Sequence, residues 1–183
     1  MQSKLISLSI FLCFAMVVVG QNKIRWQSFD NINEKLTKAN KKFIVYFYFD
    51  GCKWCRYMED NTLANDQISK FINQNYYIYK VNALHGNKIV VGNRSFTSVH
   101  IGKYDFNELA TELLNGDMSF PALVFLDEKF NKIQSIEGYY SQEEFEVLLS
   151  YFAGNHHKNT MFKKFANNYC KDSHFNSLVN EKH

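Results

Sequence analysis

Residues 46–59 read YFYFDGCKWCRYME, from Tyr46 to Glu59. They begin inside a continuous apolar, β-branched and aromatic run, residues 43–49 (FIVYFYF). Such a run predicts a strand buried on both faces, and so one central to a sheet flanked by helices. Asp50-Gly51 breaks it, and a helix is predicted from Cys52 to about Asn61. Cys52-Lys53-Trp54-Cys55 therefore falls where a buried strand ends and a helix begins. Unpaired N–H groups and the helix dipole stabilise an anion at that point, so Cys52 should ionise more readily than a free thiol. Lys53 adds a positive charge that pushes the same way. The two-residue spacer sets Cys55 one helical turn below, within reach of Cys52 and shielded from solvent. That arrangement suits a nucleophile and a resolver: Cys52 attacks a partner disulfide, and Cys55 displaces the partner.

Two other readings of a lone Cys-x-x-Cys compete: half of a zinc site, or an inert buried disulfide. Zinc wants two further ligands at compatible spacing. The candidates are His85, His100, His156, His157, Cys170 and His174, and none belongs to a second Cys-x-x-Cys. No metal and no cofactor are expected.

Outward from the motif, residues 23–29 alternate loosely and predict a first strand carrying Trp26. Asp30 is the expected N-cap of a helix to about Ala39, with Ile32, Leu36 and Ala39 on one face. Ile68, Phe71 and Ile72 mark a further helix, and residues 76–81 a strand. The pattern then weakens. Residues 89–91 and 96–101 predict short strands around a Gly92-Asn93 turn. Phe106, Leu109, Ala110, Leu113 and Leu114 form a helical apolar stripe. Residues 122–126 and 132–137 predict an antiparallel pair joined by a turn. Ser141 and Glu144 form a capping box for a helix carrying Phe145, Leu148, Leu149 and Phe152 and stopping at Gly154. Alternating β and α units followed by a hairpin and a helix indicate an α/β fold with a mixed sheet.

The chain has 183 residues, 46% hydrophobic and 21% charged, with one proline. This is the composition of about one globular domain, and it excludes wholesale disorder and collagen-like structure. A formal charge of +3 without a basic tract argues against nucleic acid as a partner. Lys4, the apolar run at residues 5–19 and Gly20 read as a secretory signal peptide cleaved near Gly20. The run is shorter than the roughly 20 residues an uncleaved anchor needs. Cys13 follows Leu12, where a lipid-attachment site wants a small residue. The expected organisation is a signal peptide at 1–20, one domain at 21–154 and a polar tail at 155–183. The tail carries a helical patch (Met161, Phe162, Phe165, Tyr169), and it should dock by these aromatics or stay partly mobile. Secretion places Cys52, Cys55 and the odd Cys170 in a compartment where disulfides persist.

YFYFDGCKWCRYME, followed by SFPALVFLD at 119–127, a strand pair and a terminal helix, resembles the thioredoxin superfamily. More closely, it is similar to secreted bacterial proteins related to the C-terminal domain of the periplasmic thiol-disulfide interchange protein. The resemblance covers about residues 24–153. It implies a thioredoxin fold, a mixed central sheet flanked by helices, with an insertion before the cis-Pro strand. It further implies that Pro121 is cis and faces the redox pair, and that the backbone of Phe120 pairs with an extended substrate. Three positions depart from the family pattern. Tyr46 stands where thioredoxins commonly carry a buried Asp, Gly51 replaces the usual Trp, and Lys-Trp replaces the Gly-Pro spacer. Glu59, four residues beyond Cys55, is then the candidate proton acceptor, as in the interchange-protein relatives. Its alternative is a solvated carboxylate paired with Arg56 or a lysine. Trp54 either meets substrate or simply covers the pair.

These readings lead to a periplasmic or secreted thiol-disulfide oxidoreductase acting on protein disulfides or dithiols. A monomer is expected. Lys53 and the helix terminus favour the thiolate, which tends toward an oxidant. The resemblance implies instead a reductase fed by an integral-membrane electron donor. The alternative function is a binding module whose cysteines form a fixed structural disulfide. An endoplasmic-reticulum isomerase is disfavoured by a C-terminus lacking a retention tetrapeptide.

Overall fold

Every residue of the aromatic run from Lys42 to Phe47 is buried, in a strand that lies third of five. The computed structural model describes residues 23–38 and 40–169. The signal segment at 1–20, Cys13, Ala39, Cys170 and His174 lie outside the described residues. Strand β2 (Lys42–Tyr48) pairs in parallel with β3 (Tyr76–Asn82), with Ile44 opposite Ile78 and Tyr46 opposite Lys80. On its other side it pairs antiparallel with β8 (Ala122–Leu126), with Val45 opposite Val124. Strand β1 (Trp26–Gln27) joins β3 in parallel, and β9 (Lys132–Glu137) joins β8 antiparallel. The order β1-β3-β2-β8-β9 is a mixed sheet.

Successive side chains of a strand point to opposite faces, so an all-apolar strand feeds two cores at once. Ile44 and Tyr46 join one cluster with Met58, Ile68, Ile72, Phe145 and Leu148. These come from α2 (Lys53–Met58), α3 (Asp66–Asn75) and α5 (Gln142–Ala153). Phe43, Val45 and Phe47 join the other, with Ile32, Leu109, Ala110 and Leu113. Those come from α1 (Ile32–Lys38) and α4 (Glu108–Leu113). Each fully buried Phe, Ile or Leu stabilises by roughly 1.5–3 kcal/mol, so the two clusters supply most of the driving force. The capping box of Ser141 and Glu144 is present, and Gly154 caps the end of α5.

Several boundaries differ from expectation. The first strand is only two residues, at Trp26–Gln27. Asp30 is not the N-cap: Ser28 caps a short 3-10 turn (Phe29–Asn31), and Asp30 accepts a hydrogen bond from the Ser28 hydroxyl at 2.7 Å. Residues 96–101 do not form one strand. They divide between two hairpins, β4 (Ile89–Val91) with β5 (Arg94–Phe96), and β6 (Ser98–Ile101) with β7 (Tyr104–Asn107). Phe106 belongs to β7, not to the helix after it. Its stripe position is met because Asn107 caps α4 by accepting from Leu109 N at 3.0 Å. Buried Asn107 also roots the second hairpin at the end of β3, its N–H donating to Ala83 O at 2.8 Å. In the tail, residues 162–169 are helical and contact α5: the Tyr151 ring lies 5.2 Å from Phe162 and 5.3 Å from Phe165.

Candidate active site

The carboxyl end of β2 runs straight into the cysteine motif. Phe49 O accepts from Cys52 N at 3.2 Å, closing a turn through Asp50 and Gly51. Gly51 has φ of +87°, a left-handed conformation that a tryptophan side chain would resist. The glycine at this position therefore follows from the turn. The turn is held from β3, where Asn82 donates from Nδ2 to Asp50 Oδ2 at 2.9 Å.

Cys52 is the N-cap of α2, and its sulfur accepts from Cys55 N at 3.1 Å. This is the geometry in which a helix N-terminus favours a thiolate. The two cysteines form a disulfide with Cα atoms 5.3 Å apart. Cys52 is 9% exposed and Cys55 2%, so the first cysteine is the less covered of the two. Lys53 and Trp54 occupy the exposed turn between them. Both sulfurs are engaged with each other, and among the described residues no three His, Cys, Asp or Glu side chains gather as a metal site requires.

Beneath the pair, α2 continues through a π-helical turn, Glu59–Leu63, in which Glu59 O accepts from Ala64 N at 2.9 Å. Glu59 shares a cleft of about 160 Å³ with Cys52, Cys55 and Lys80. Its carboxylate accepts from Lys80 Nζ at 2.7 Å. Of the two roles open to Glu59, pairing with a lysine is thus realised, but across the sheet and inside the redox cleft. Lys80 also lies over the Tyr48 ring, 4.3 Å from its centroid. Tyr46 fills the place of the missing Asp. Its hydroxyl donates to Cys55 O at 3.1 Å, and burial together with the Glu59 charge pushes its phenol far above the ordinary tyrosine range.

Phe120–Pro121 is a cis peptide immediately before β8, whose Ala122 pairs with Phe47 near the motif end of β2. The Pro121 carbonyl accepts from Gly138 N at 2.8 Å, and the Phe120 ring meets Phe49 edge-on at 5.6 Å. Sequence reasoning singled out Cys52, Lys53, Trp54, Cys55 and Glu59, which follow the carboxyl end of β2, and Phe120 and Pro121, which precede β8 with the Phe120 ring against Phe49. It missed Lys80, Tyr57 and Tyr139. Lys80 carried a signal, as the one charged residue in the apolar strand YYIYKVN. Tyr139 had none, since its place depends on the loop after β9.

A model of the thioredoxin-like domain family matches residues 29–153. Among solved structures, the chain is similar to a thioredoxin-fold protein from Helicobacter pylori at 17% identity and a TM-score of 0.54. The match spans 73% of this chain and 81% of that one. A thioredoxin from Thermus thermophilus matches at 18% identity and a TM-score of 0.52, over 71% of this chain and 87% of that one. No curated protein gave a significant match.

Proposed function

Because the chain belongs to the thioredoxin-like domain family, we propose that it is a secreted or periplasmic protein-disulfide reductase. The Cys52–Cys55 pair, bracketing Lys53 and Trp54, is the dithiol/disulfide centre of a thiol-disulfide oxidoreductase. The observation that carries this is the division of labour at the helix start: a capping, less covered Cys52 over a sealed Cys55.

In the reduced protein the Cys52 thiolate attacks one sulfur of a substrate disulfide and expels the other as a thiolate, which takes a proton. Cys55 passes its proton to Glu59 and attacks the Cys52 sulfur. The second substrate sulfur leaves as a thiolate and takes the proton from Glu59, and the protein is left as the disulfide. Lys53 lowers the thiol pKa of Cys52, Trp54 contacts substrate, and the Phe120 backbone beside Pro121 pairs with the extended substrate segment. Reductive direction is what the resemblance to the C-terminal domain of the thiol-disulfide interchange protein implies. An integral-membrane dithiol donor would restore the reduced form. In this reading residues 1–20 form the signal peptide, 21–154 the catalytic unit of a monomer and 155–183 its tail. The two hairpins β4–β5 and β6–β7 are taken as the insertion before the cis-Pro strand.

Insulin reduction with dithiothreitol tests the activity: wild type accelerates precipitation and Cys52→Ala does not. A reduction potential near that of thioredoxin, about −270 mV, fits a reductase, whereas one near −120 mV marks an oxidase. Equal rates for wild type and Cys52→Ala, with a very negative potential, would mean a structural disulfide. Amino-terminal sequencing of exported protein should begin at Gln21.

A further inference from the structure

The surface around Cys52 is two-sided. On one side Trp54, 60% exposed, and Tyr57, 48% exposed, form an aromatic cluster with half-buried Tyr139. Ring centroids are 5.9 Å apart for Trp54–Tyr57, 6.1 Å for Trp54–Tyr139 and 4.9 Å for Tyr57–Tyr139. On the other side a groove of about 380 Å³ is lined by Gly51, Cys52, Lys53, Arg56, Tyr57 and Asp60. Lys53 and Arg56 are exposed and make no ion pair among the described residues. Asp60 leaves the groove with an excess of one positive charge.

Exposed aromatic clusters are costly in water and mark contact surfaces, and Trp, Tyr and Arg are the residues that dominate interface energetics. The cluster is also held in place. Thr62 donates from Oγ1 to Tyr140 O at 2.6 Å, and Gln142 donates from Nε2 to Asn61 O at 2.6 Å. These bonds pin the loop carrying Tyr139 against the helix carrying Trp54 and Tyr57. A preformed platform loses little entropy on binding.

Resting on the reductase reading above, we propose that the site selects polypeptide disulfides in which a cysteine is flanked by an aromatic residue on one side and an acidic residue on the other. The substrate ring stacks on the Trp54–Tyr57–Tyr139 platform. Its carboxylate lies along Lys53 and Arg56, while its sulfur meets Cys52. The chemistry is unchanged: the protein dithiol is oxidised to the disulfide as the peptide disulfide is reduced to two thiols.

The test mixes stoichiometric, pre-reduced protein with short peptide homodisulfides and follows single-turnover rates. One peptide carries Phe and Glu flanking Cys, in each of the two orders. Its partners replace Phe by Ser, or Glu by Lys. Hydroxyethyl disulfide, which has no flanks, reports the chemistry alone. The Phe/Glu peptide in its better order should exceed the Ser peptide by about fivefold to tenfold, as aromatic stacking contributes. It should exceed the Lys peptide by about threefold at low ionic strength, a gap that shrinks with salt. Tyr57→Ala should collapse the Phe/Ser ratio and leave the Glu/Lys ratio; Arg56→Gln should do the reverse. Rates within twofold across all peptides overturn the proposal while leaving the reductase reading intact. No reaction with hydroxyethyl disulfide overturns both.

Discussion

Neighbouring strands β2 and β3 each carry a lysine paired with a glutamate, at opposite ends of the sheet and under opposite conditions. Lys42 opens β2 with a side chain 5% exposed, and its Nζ lies 2.5 Å from Oε1 of Glu128, which is 38% exposed. Lys80 lies within β3, 29% exposed, and meets Glu59, 31% exposed, at 2.7 Å. A sealed ammonium must keep its partner, because losing it leaves an uncompensated charge in a poor solvent. The first pair therefore belongs to stability. The second is partly open to water at both partners and shares its cleft with both sulfurs. The same chemical pair holds a sealed lysine at one end and lies beside the redox sulfurs at the other, and it is the burial of the lysine, not of the carboxylate, that differs.

The largest test of the redox end is Cys55→Ser, which should abolish multiple turnover and accumulate a mixed disulfide through Cys52, visible on a non-reducing gel. Glu59→Gln should slow the resolving step by about tenfold to a hundredfold, the range of a lost proton acceptor. Stopped-flow release of the second thiol reads it, and thermal unfolding should barely move. Glu128→Gln should do the opposite: about 2 kcal/mol of stability lost, a Tm lower by about 4–8 °C, and an unchanged turnover rate. Slowed chemistry in Glu128→Gln, or a collapse of stability in Glu59→Gln, would erase the contrast. The smallest effect is with acid. The hydrogen bond from Lys42 holds the Glu128 carboxyl below the ordinary glutamate range. Its stabilisation is therefore present above the unfolded value of about 4.3 and lost as pH falls through the lower folded value. The stability gap between wild type and Glu128→Gln, measured by urea unfolding, should close below about pH 4.

How well each part could be read in advance follows from where its cause lies. The aromatic strand, the capping box at Ser141 and Glu144, and the 122–126 and 132–137 pair were legible because local pattern and burial agree there. Residues 82–107 were not. Hairpins of three or four residues carry too few side chains for a period, and Asn107, buried and bonded to Ala83, His85 and Asn87, organises them by long-range contacts. The helix start at Asp30 was misplaced because Ser28, two residues earlier, captures the cap.

Residue order alone determined that a thiol would sit on a helix start, with its companion one turn below and a proline opening a later strand. Those relations span a few residues and obey helix and strand geometry. Folding decided the rest. Only strand pairing could set Lys80 opposite Tyr46 and beside Glu59, and only the packing of the β9–α5 loop could bring Tyr139 against Tyr57. Contacts between residues far apart in the chain are chosen by the sheet register and the core, which no local pattern records.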